Sequence, residues 1–412
     1  MEQVETAVIG AGQAGLVMSQ RLNQLGHEHV VLERSRVAER WRTQRWDSLM
    51  FQFPNWTIAL PGHSWAHDDP DGFSHKDVVV RFLEDYCATT GASVRTGVNV
   101  RSLAAASEAG RYKLDTDHGE ITARNVVIAT GPYQKPSVPA MASSLPRHIA
   151  QIHSSDYRNP AGLPEGAVLV VGTGASGCQI AEELLDCGKR VYLSVGRHRR
   201  IPRRYRGKDV IWWRRELGEL DLTAEATPRS QRPPAPLVTG AGGGHDVSLR
   251  QFAARGAVLL GHVLGIRESR IVLAPDVHQF LAAGDRAYDN FTNAVDEYLA
   301  RAGMATLQSA DESCPESGAL AVLDEVDIKA AGIGSVIWAT GYRLDYRWVR
   351  LPIFDDAGEP MHRDGVTPAP GVYLLGLSWL RKHQSAFLFG VAEDAAYLAD
   401  RIAHRSRSSR DS

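Results

Sequence analysis

Two glycine-rich hexapeptides carry the most evident chemistry in this chain: Gly10-Ala11-Gly12-Gln13-Ala14-Gly15 and Gly172-Thr173-Gly174-Ala175-Ser176-Gly177. Each follows an apolar run, Thr6 to Ile9 in one case and Ala167 to Val171 in the other, and each opens a stretch with helical apolar spacing. In that strand–turn–helix context the first glycine allows a tight turn and the second lets main chain approach a pyrophosphate. The third lets helix pack on strand, while the helix N-terminal amides face the phosphates. Two such turns predict two bound dinucleotides.

The residues after each turn distinguish the ligands. Val30-Val31-Leu32-Glu33 ends a second strand on a carboxylate, about 20 residues beyond the glycines, where an acid accepts hydrogen bonds from a ribose with free hydroxyls. That site is expected to hold FAD or NAD. After the second turn, Val191-Tyr192-Leu193 ends on Ser194, and Arg197, His198, Arg199 and Arg200 follow. Guanidinium groups suit a 2′-phosphate, which reads as NADPH; a solvated basic loop is the alternative.

These turns need strands and helices to hold them, and the composition supplies them. The chain has 412 residues, 43% hydrophobic, with a formal net charge of −2. It can bury a large core, and its near neutrality implies no nucleic-acid partner. It shows neither a signal-peptide pattern nor an apolar run near the roughly 20 residues of a membrane helix, so a cytoplasmic, membrane-free enzyme is expected. Cys87, Cys178, Cys187 and Cys314 form no Cys-x-x-Cys pair, and no metal site is expected.

A second internal repeat sets the domain organisation. Val126 to Gly131 and Ser335 to Gly341 are apolar strands that both end in Ala-Thr-Gly, at Ala129-Thr130-Gly131 and Ala339-Thr340-Gly341. The expectation is an α/β fold with two dinucleotide-binding Rossmann-like domains, the second inserted into the first. The first would comprise residues 1–162 plus 333–405, the insert 163–332, and a polar tail 406–412. Within the insert, Arg229 to Gly244 reads as a Pro/Gly-rich loop, and Val277 to Ala302 as a helix with Phe280, Leu281, Ala287, Phe291, Ala294, Val295, Tyr298 and Leu299 on its buried stripe.

The order of these motifs resembles the flavin-containing monooxygenases and their relatives, the plant auxin-forming monooxygenases and the Baeyer–Villiger enzymes. The resemblance spans nearly the whole chain. It rests on the two glycine turns with Glu33, Ser194 and Arg197, on Arg40 to Leu49, on both Ala-Thr-Gly ends, and on Gly371-Val372-Tyr373-Leu374-Leu375-Gly376. The family pattern Phe-x-Gly-x-x-x-His-x-x-x-Phe/Tyr is half kept: His153 and Tyr157 are present, but Arg147 and Ile149 replace Phe and Gly. Leu377 replaces the Asp expected after Gly376.

The resemblance implies FAD and NADPH as cofactors, O2 and a small organic molecule as substrates, and a C4a-(hydro)peroxyflavin as the oxygenating species. It is compatible with a homodimer. Trp41, Trp46 and Asp47 are implied as FAD contacts, with Ser385 and Ala386 near the flavin pyrimidine edge. Arg34, Leu49 and Val98 belong to the same expected cofactor set. Counting from Ser48 puts Gln52 where the relatives carry a peroxide-stabilising amide, and Asn55 is the second candidate; local backbone satisfaction is the alternative for Gln52. His153 is either a linker residue or a sensor of the bound nicotinamide. Three activities remain open: oxygenation of a soft nitrogen or sulfur nucleophile or activated carbon, Baeyer–Villiger oxygenation, and NADPH:acceptor reduction without oxygen insertion.

Overall fold

The computed structural model describes residues 2–304 and 320–408; Cys314 lies outside them. Its apolar runs form two main sheets, the first mixed and the second parallel. The first orders Val94–Thr96, His29–Glu33, Glu2–Ile9, Gly119–Ile128, Tyr112–Thr116 and Val100–Ala105. Val372–Leu374 pairs in parallel with Val126 to Ile128, and Tyr112–Thr116 runs antiparallel along the earlier half of that same long strand. The second sheet orders Ala150–His153, Ile333–Trp338, Ala167–Val171, Val191–Ser194 and Val258–Leu260, all parallel. Val168 and Val170, like Ala7 and Val8, have no exposed surface. Burial on both faces is why these strands read as continuous apolar runs rather than alternating ones.

The two glycine turns are copies of one arrangement. Gly10 donates its N–H to Leu32 O at 2.8 Å, and Gly172 donates to Ser194 O at 3.1 Å. Ala129 N–H donates to Ile9 O and Ala339 N–H to Val171 O, each at 2.9 Å. Both first glycines have positive φ, 107° and 108°. A Cβ on Gly10 would lie 2.8 Å from Ala129 O, and one on Gly172 2.6 Å from Ala339 O. The Ala-Thr-Gly strand ends are therefore the surfaces on which the turns are seated, a role that requires glycine opposite them.

The second of these strands corrects the expected domain limits. Ile333–Trp338 is hydrogen-bonded between Ala150–His153 and Ala167–Val171, so residues assigned to the first domain on either side of the insert pair within the second sheet. A central strand must bond on both edges, and Ala150–His153 supplies the outer partner. The last helix also runs into the expected tail. It spans Val391–Ser408, Ser406 is buried, and residues 409–412 lie outside the described part.

The long helix Val277–Ala302 buries Leu281, Phe291, Val295 and Leu299 as its spacing predicts, and leaves Phe280, Ala287, Ala294 and Tyr298 half-buried at the stripe's margin. The Pro/Gly-rich stretch contributes a short strand, Val238–Thr239, and clamps onto the first sheet's side of the molecule. A Cβ on Gly240 would sit 2.5 Å from Phe51 O, and one on Gly244 2.1 Å from the Phe73 ring. Among the described residues, no helix is long and apolar enough to cross a membrane.

The third glycine of each turn separates packing from binding. A Cβ on Gly15 or Gly177 would lie 1.9 or 2.0 Å from the carbonyl of the turn's first glycine, whereas one on Gly12 or Gly174 meets nothing within 4 Å. Gly15→Ala and Gly177→Ala are expected to lower unfolding free energy in urea by about 1–3 kcal/mol or more, the cost of forcing atoms into filled space. Gly12→Ala is expected to leave the urea midpoint unchanged.

Candidate functional site

Both glycine turns reach one cavity of about 710 Å³. The first contributes Gly10, Ala11, Gly12, Gln13 and Ala14, with Glu33 at the next strand end. Glu33 accepts hydrogen bonds from Ala11 N–H at 2.8 Å and Ser35 N–H at 2.9 Å, which fixes the carboxylate beside the turn. Ala129, Thr130, Gly131, Gly376, Arg34, Leu49 and Val98 also line the cavity. Gly376, at φ 77°, sits so close to the first helix that a Cβ would lie 2.6 Å from Ala14 Cβ.

Aromatic rings form much of the remaining wall. Trp41 stands edge-on to Phe51 at 5.9 Å, Phe51 to Phe53 at 5.8 Å, and Phe53 tilts against Phe387 at 5.3 Å. The Arg45 guanidinium lies 5.1 Å from the Trp41 ring and 5.6 Å from the Tyr133 ring. Trp46 is buried at the same wall. Gln13 donates its side-chain amide to Ala386 O at 3.3 Å, which ties the turn to the segment before the last helix.

The donor set fits a large anionic ligand with a flat apolar part. Arg34, Arg40, Arg45 and Arg214 line the cavity. Of its acids, Glu39 is paired with Arg36 and Asp345 with Arg347, while Glu33 is held by main-chain N–H groups. Burial, with the charge of Arg34 beside it, pulls Arg40 down to about 10. Positive φ at Gly10, the open space at Gly12 and the helix Gln13–Gln24 behind them form a phosphate cradle in this wall.

The second turn is used differently from the first. Ala175 and Ser176 line the cavity and Gln179 follows one turn later, but Gly172, Thr173, Gly174 and Gly177 lie outside its lining. Thr173 does what Glu33 does in the first copy: its hydroxyl accepts from Gly196 N–H at 2.9 Å and donates to Gly196 O at 3.1 Å. Ser194 is turned inward, donating to Gly261 O at 3.0 Å. Arg197 is exposed and donates from Nη2 to Arg232 O at 2.7 Å.

Several expected site residues are bonded to the protein's own groups. Asn55 is buried, donating to Asp69 O at 2.9 Å and accepting from Ser74 Oγ at 2.6 Å, so its amide is consumed by a loop and does not line the cavity. Asp47 is exposed and accepts from Asn159 at 2.6 Å. Ser385 is wholly buried, its hydroxyl accepting the N–H groups of Arg381 and Lys382, while Ala386 lines the cavity. Ala339, Thr340 and Gly341 seat the second turn, with the Thr340 hydroxyl bonded to Ser137 O. His153 accepts from Ser155 N–H at 3.1 Å and therefore donates through Nε2 to Gly341 O at 2.9 Å. Burial lowers its pKa, and it acts as a neutral strut at the end of its strand. Gln52 does line the cavity, but its side-chain N–H donates to Pro236 O at 3.1 Å.

Arg214 and His383 belong to the cavity and were not singled out by sequence reasoning. The signal was present in part: Arg214 follows Val210 and Ile211 by one helical turn, on the buried face of the helix Val210–Glu216. Arg214 is 1% exposed and donates from Nε to Glu219 at 2.9 Å and from Nη2 to His383 Nε2 at 3.1 Å. Arg199 forks onto the same carboxylate at 2.5 and 2.8 Å. Burial opposes ionisation of Glu219, but the hydrogen bonds from Arg199 and the charges of Arg214 and Arg199 outweigh it and bring its pKa to about 2. His383, stacked on Trp379 at 4.3 Å, is pushed down to about 4 by burial and the Arg214 charge. Glu219→Gln strands the buried Arg214 and the partly buried Arg199 and is expected to cost about 3–5 kcal/mol at neutral pH. Because the folded pKa of Glu219 lies below its unfolded value, its contribution is full above roughly pH 4.3 and lost as pH falls toward 2. Urea unfolding of wild type and variant should therefore converge over that range.

The comparisons with known proteins agree with this arrangement. The family model described as pyridine nucleotide-disulphide oxidoreductase matches residues 7–213. The chain is 34% identical over 405 residues to an uncharacterized oxidoreductase CzcO-like of Geobacillus kaustophilus, covering 97% of this chain and 98% of the relative. It is 31% identical over 190 residues to the indole-3-pyruvate monooxygenase YUCCA1 of rice, Oryza sativa subsp. japonica, covering 46% of this chain and 47% of that one. The solved flavin-containing monooxygenase from Stenotrophomonas maltophilia shares the fold with a TM-score of 0.68 at 21% identity, over 98% of this chain and 100% of that one. With two seated glycine turns opening on one cavity, the chain belongs to the pyridine nucleotide-disulphide oxidoreductase family, among its flavin-containing monooxygenase-like members.

Proposed function

We propose that the chain is an NADPH-dependent FAD monooxygenase acting on a small organic substrate with O2, its second-sheet unit being inserted into its first. The observation that carries this reading is the single cavity reached by both glycine turns, which would bring a flavin and a nicotinamide together. FAD, when bound, supplies the hydride acceptor and the site of oxygen activation. Gly10 to Ala14 and Glu33 would hold its adenosine and phosphates, and Trp41, Trp46, Leu49 and Ala386 its apolar ring region. Ala175 and Ser176 open the second dinucleotide site, and Arg197, exposed beyond its turn, is the group available to a 2′-phosphate. The rings of Trp41, Phe51, Phe53 and Phe387 exclude water from the reaction space. Names of the relatives support oxygenation, since both the rice protein and the Stenotrophomonas protein are described as monooxygenases.

A reductase that passes electrons to an external acceptor is the second reading. It is favoured by the engagement of the Gln52 amide with Pro236 O, which leaves that side chain only part of its donor capacity.

The purified protein should be yellow and release FAD on denaturation; a colourless protein that takes up no added FAD would sink both readings. Arg197→Ala is expected to weaken NADPH by about tenfold or more and NADH little, the loss of a charge-assisted hydrogen bond. Equal effects on the two would remove Arg197 from 2′-phosphate recognition. For oxygenation, Gln52→Ala should raise the share of consumed O2 that appears as hydrogen peroxide while NADPH oxidation stays within about twofold, because a donor used after hydride transfer contributes nothing to that step. Fast quinone reduction with no oxygenated product from any candidate substrate would favour the reductase.

A further inference from the structure

Most of the basic run after the second glycine turn is spent within the protein. Arg199, Arg200 and Arg203 each meet a carboxylate, on Glu219, Asp285 and Asp209. Arg197 meets none among the described residues; it is exposed, and its Nη2 donates to Arg232 O at 2.7 Å. That acceptor belongs to a strap, residues 222–236, between the segment before the last helix and the segment after the second turn. At one end His383 N–H donates to Leu222 O at 2.9 Å and Ala224 N–H to Arg381 O at 2.8 Å. At the other, Leu237 N–H donates to Arg199 O at 2.9 Å, and Pro233, Ala235 and Pro236 line the cavity. Between these anchors the Arg232 side chain fastens the strap. Its guanidinium lies 5.0 Å from the centre of the Trp379 ring, donating from Nε to Thr227 O at 3.2 Å and from Nη2 to Ala224 O at 3.4 Å. Trp379 lines the cavity at φ 57° and stacks on His383 at 4.3 Å. A bulky residue holds that left-handed backbone only where its surroundings impose it.

We propose that Arg232 and Trp379 are positioning residues for nucleotide selectivity: their stack seats the strap whose carbonyl at Arg232 aims Arg197 at a 2′-phosphate. The inference rests on the reading of Arg197 as the 2′-phosphate contact. A free arginine side chain loses its rotamer freedom when it grips a ligand. One amino group already held by Arg232 O lowers that ordering cost and leaves the other donors of the fork for the phosphate. A nucleotide without the 2′-phosphate gains nothing from this arrangement, so the stack favours NADPH over NADH from a ring on the cavity wall. Linkage gives the converse: a 2′-phosphate on Arg197 holds the strap closed by the same factor that the seated strap adds to its affinity.

The test measures Kd for NADP⁺ and NAD⁺ by calorimetry on the FAD-loaded protein. Arg232→Gln keeps the main-chain carbonyl and removes the stacked cation; it should weaken NADP⁺ about threefold or more and leave NAD⁺ within about twofold. Trp379→Leu should lower the same selectivity, and Trp379→Phe, which keeps a ring face, should restore most of it. In an Arg197→Ala background, Arg232→Gln should change the NADP⁺ to NAD⁺ ratio no further, because the two residues act through one contact. A second readout needs no variant: trypsin cleavage after Arg229, whose side chain is 77% exposed on the strap, should slow more with saturating NADP⁺ than with saturating NAD⁺. Variants at Arg232 and Trp379 that leave the ratio unchanged, or weaken both nucleotides equally, overturn the proposal. If they do not fold, equal protection of wild-type protein by the two nucleotides overturns it. Arg197→Ala separates the failures: an equal effect on both nucleotides removes the reading beneath the inference, whereas a selective effect there with none at Arg232 and Trp379 removes the inference alone.

Discussion

Main chain against main chain is the contact on which the rest of this molecule depends. In each sheet the carbonyl of an Ala-Thr-Gly strand end lies against the first glycine of a turn, close enough that a Cβ would fall 2.8 Å from Ala129 O or 2.6 Å from Ala339 O. That approach lets the strand before the turn, the strand after it and the helix it opens share one small volume. The helix amides then face outward from the sheet edge, where an anionic ligand can reach them. Any side chain at Gly10 or Gly172 would push the helix off its sheet and disperse the groups that the cavity needs.

The same arrangement is used twice with different closures. In the first copy Glu33 takes the N–H of Ala11 and stays at the cavity. In the second, Thr173 bonds to both main-chain atoms of Gly196, and Ser194 faces away. A hydroxyl closing the turn leaves no carboxylate there, which removes the repulsion that a 2′-phosphate would meet. What differs at the two strand ends is thus a carboxylate in the first copy and an uncharged hydroxyl in the second.

The cavity exists because the two sheets are held against one another by polar contacts as well as packing. Arg203 donates to Gln52 O at 2.6 Å, Gln52 returns a bond to Pro236 O, and Ser48 and Tyr157 both donate to Glu183 at 2.6 Å. The glycines at 240 and 244 let the Pro/Gly-rich stretch lie directly on Phe51 and Phe73. These contacts fix the distance between the wall that carries Glu33 and the wall that carries Arg214. They also explain why Gln52 serves structure and cavity together.

Local sequence alone determined the strand–turn–helix units, the acid at Glu33, and the buried stripe of Val277–Ala302. Each of these is encoded within a short window, by periodicity or by a glycine whose backbone no other residue can copy. Only the tertiary structure decided which side of a chain segment meets which partner. It moved Ile333–Trp338 into the second sheet, because a central strand is defined by its neighbours and not by its own residues. It set Asn55, Ser194 and His153 against main chain from other segments and Asp47 against Asn159, because a polar side chain bonds to whatever partner the fold brings within reach, often from distant sequence. Arg214 acquired its place for the same reason in reverse: Arg199, Glu219 and His383 surround it from separate segments, and the charge they leave unbalanced is a property of their assembly.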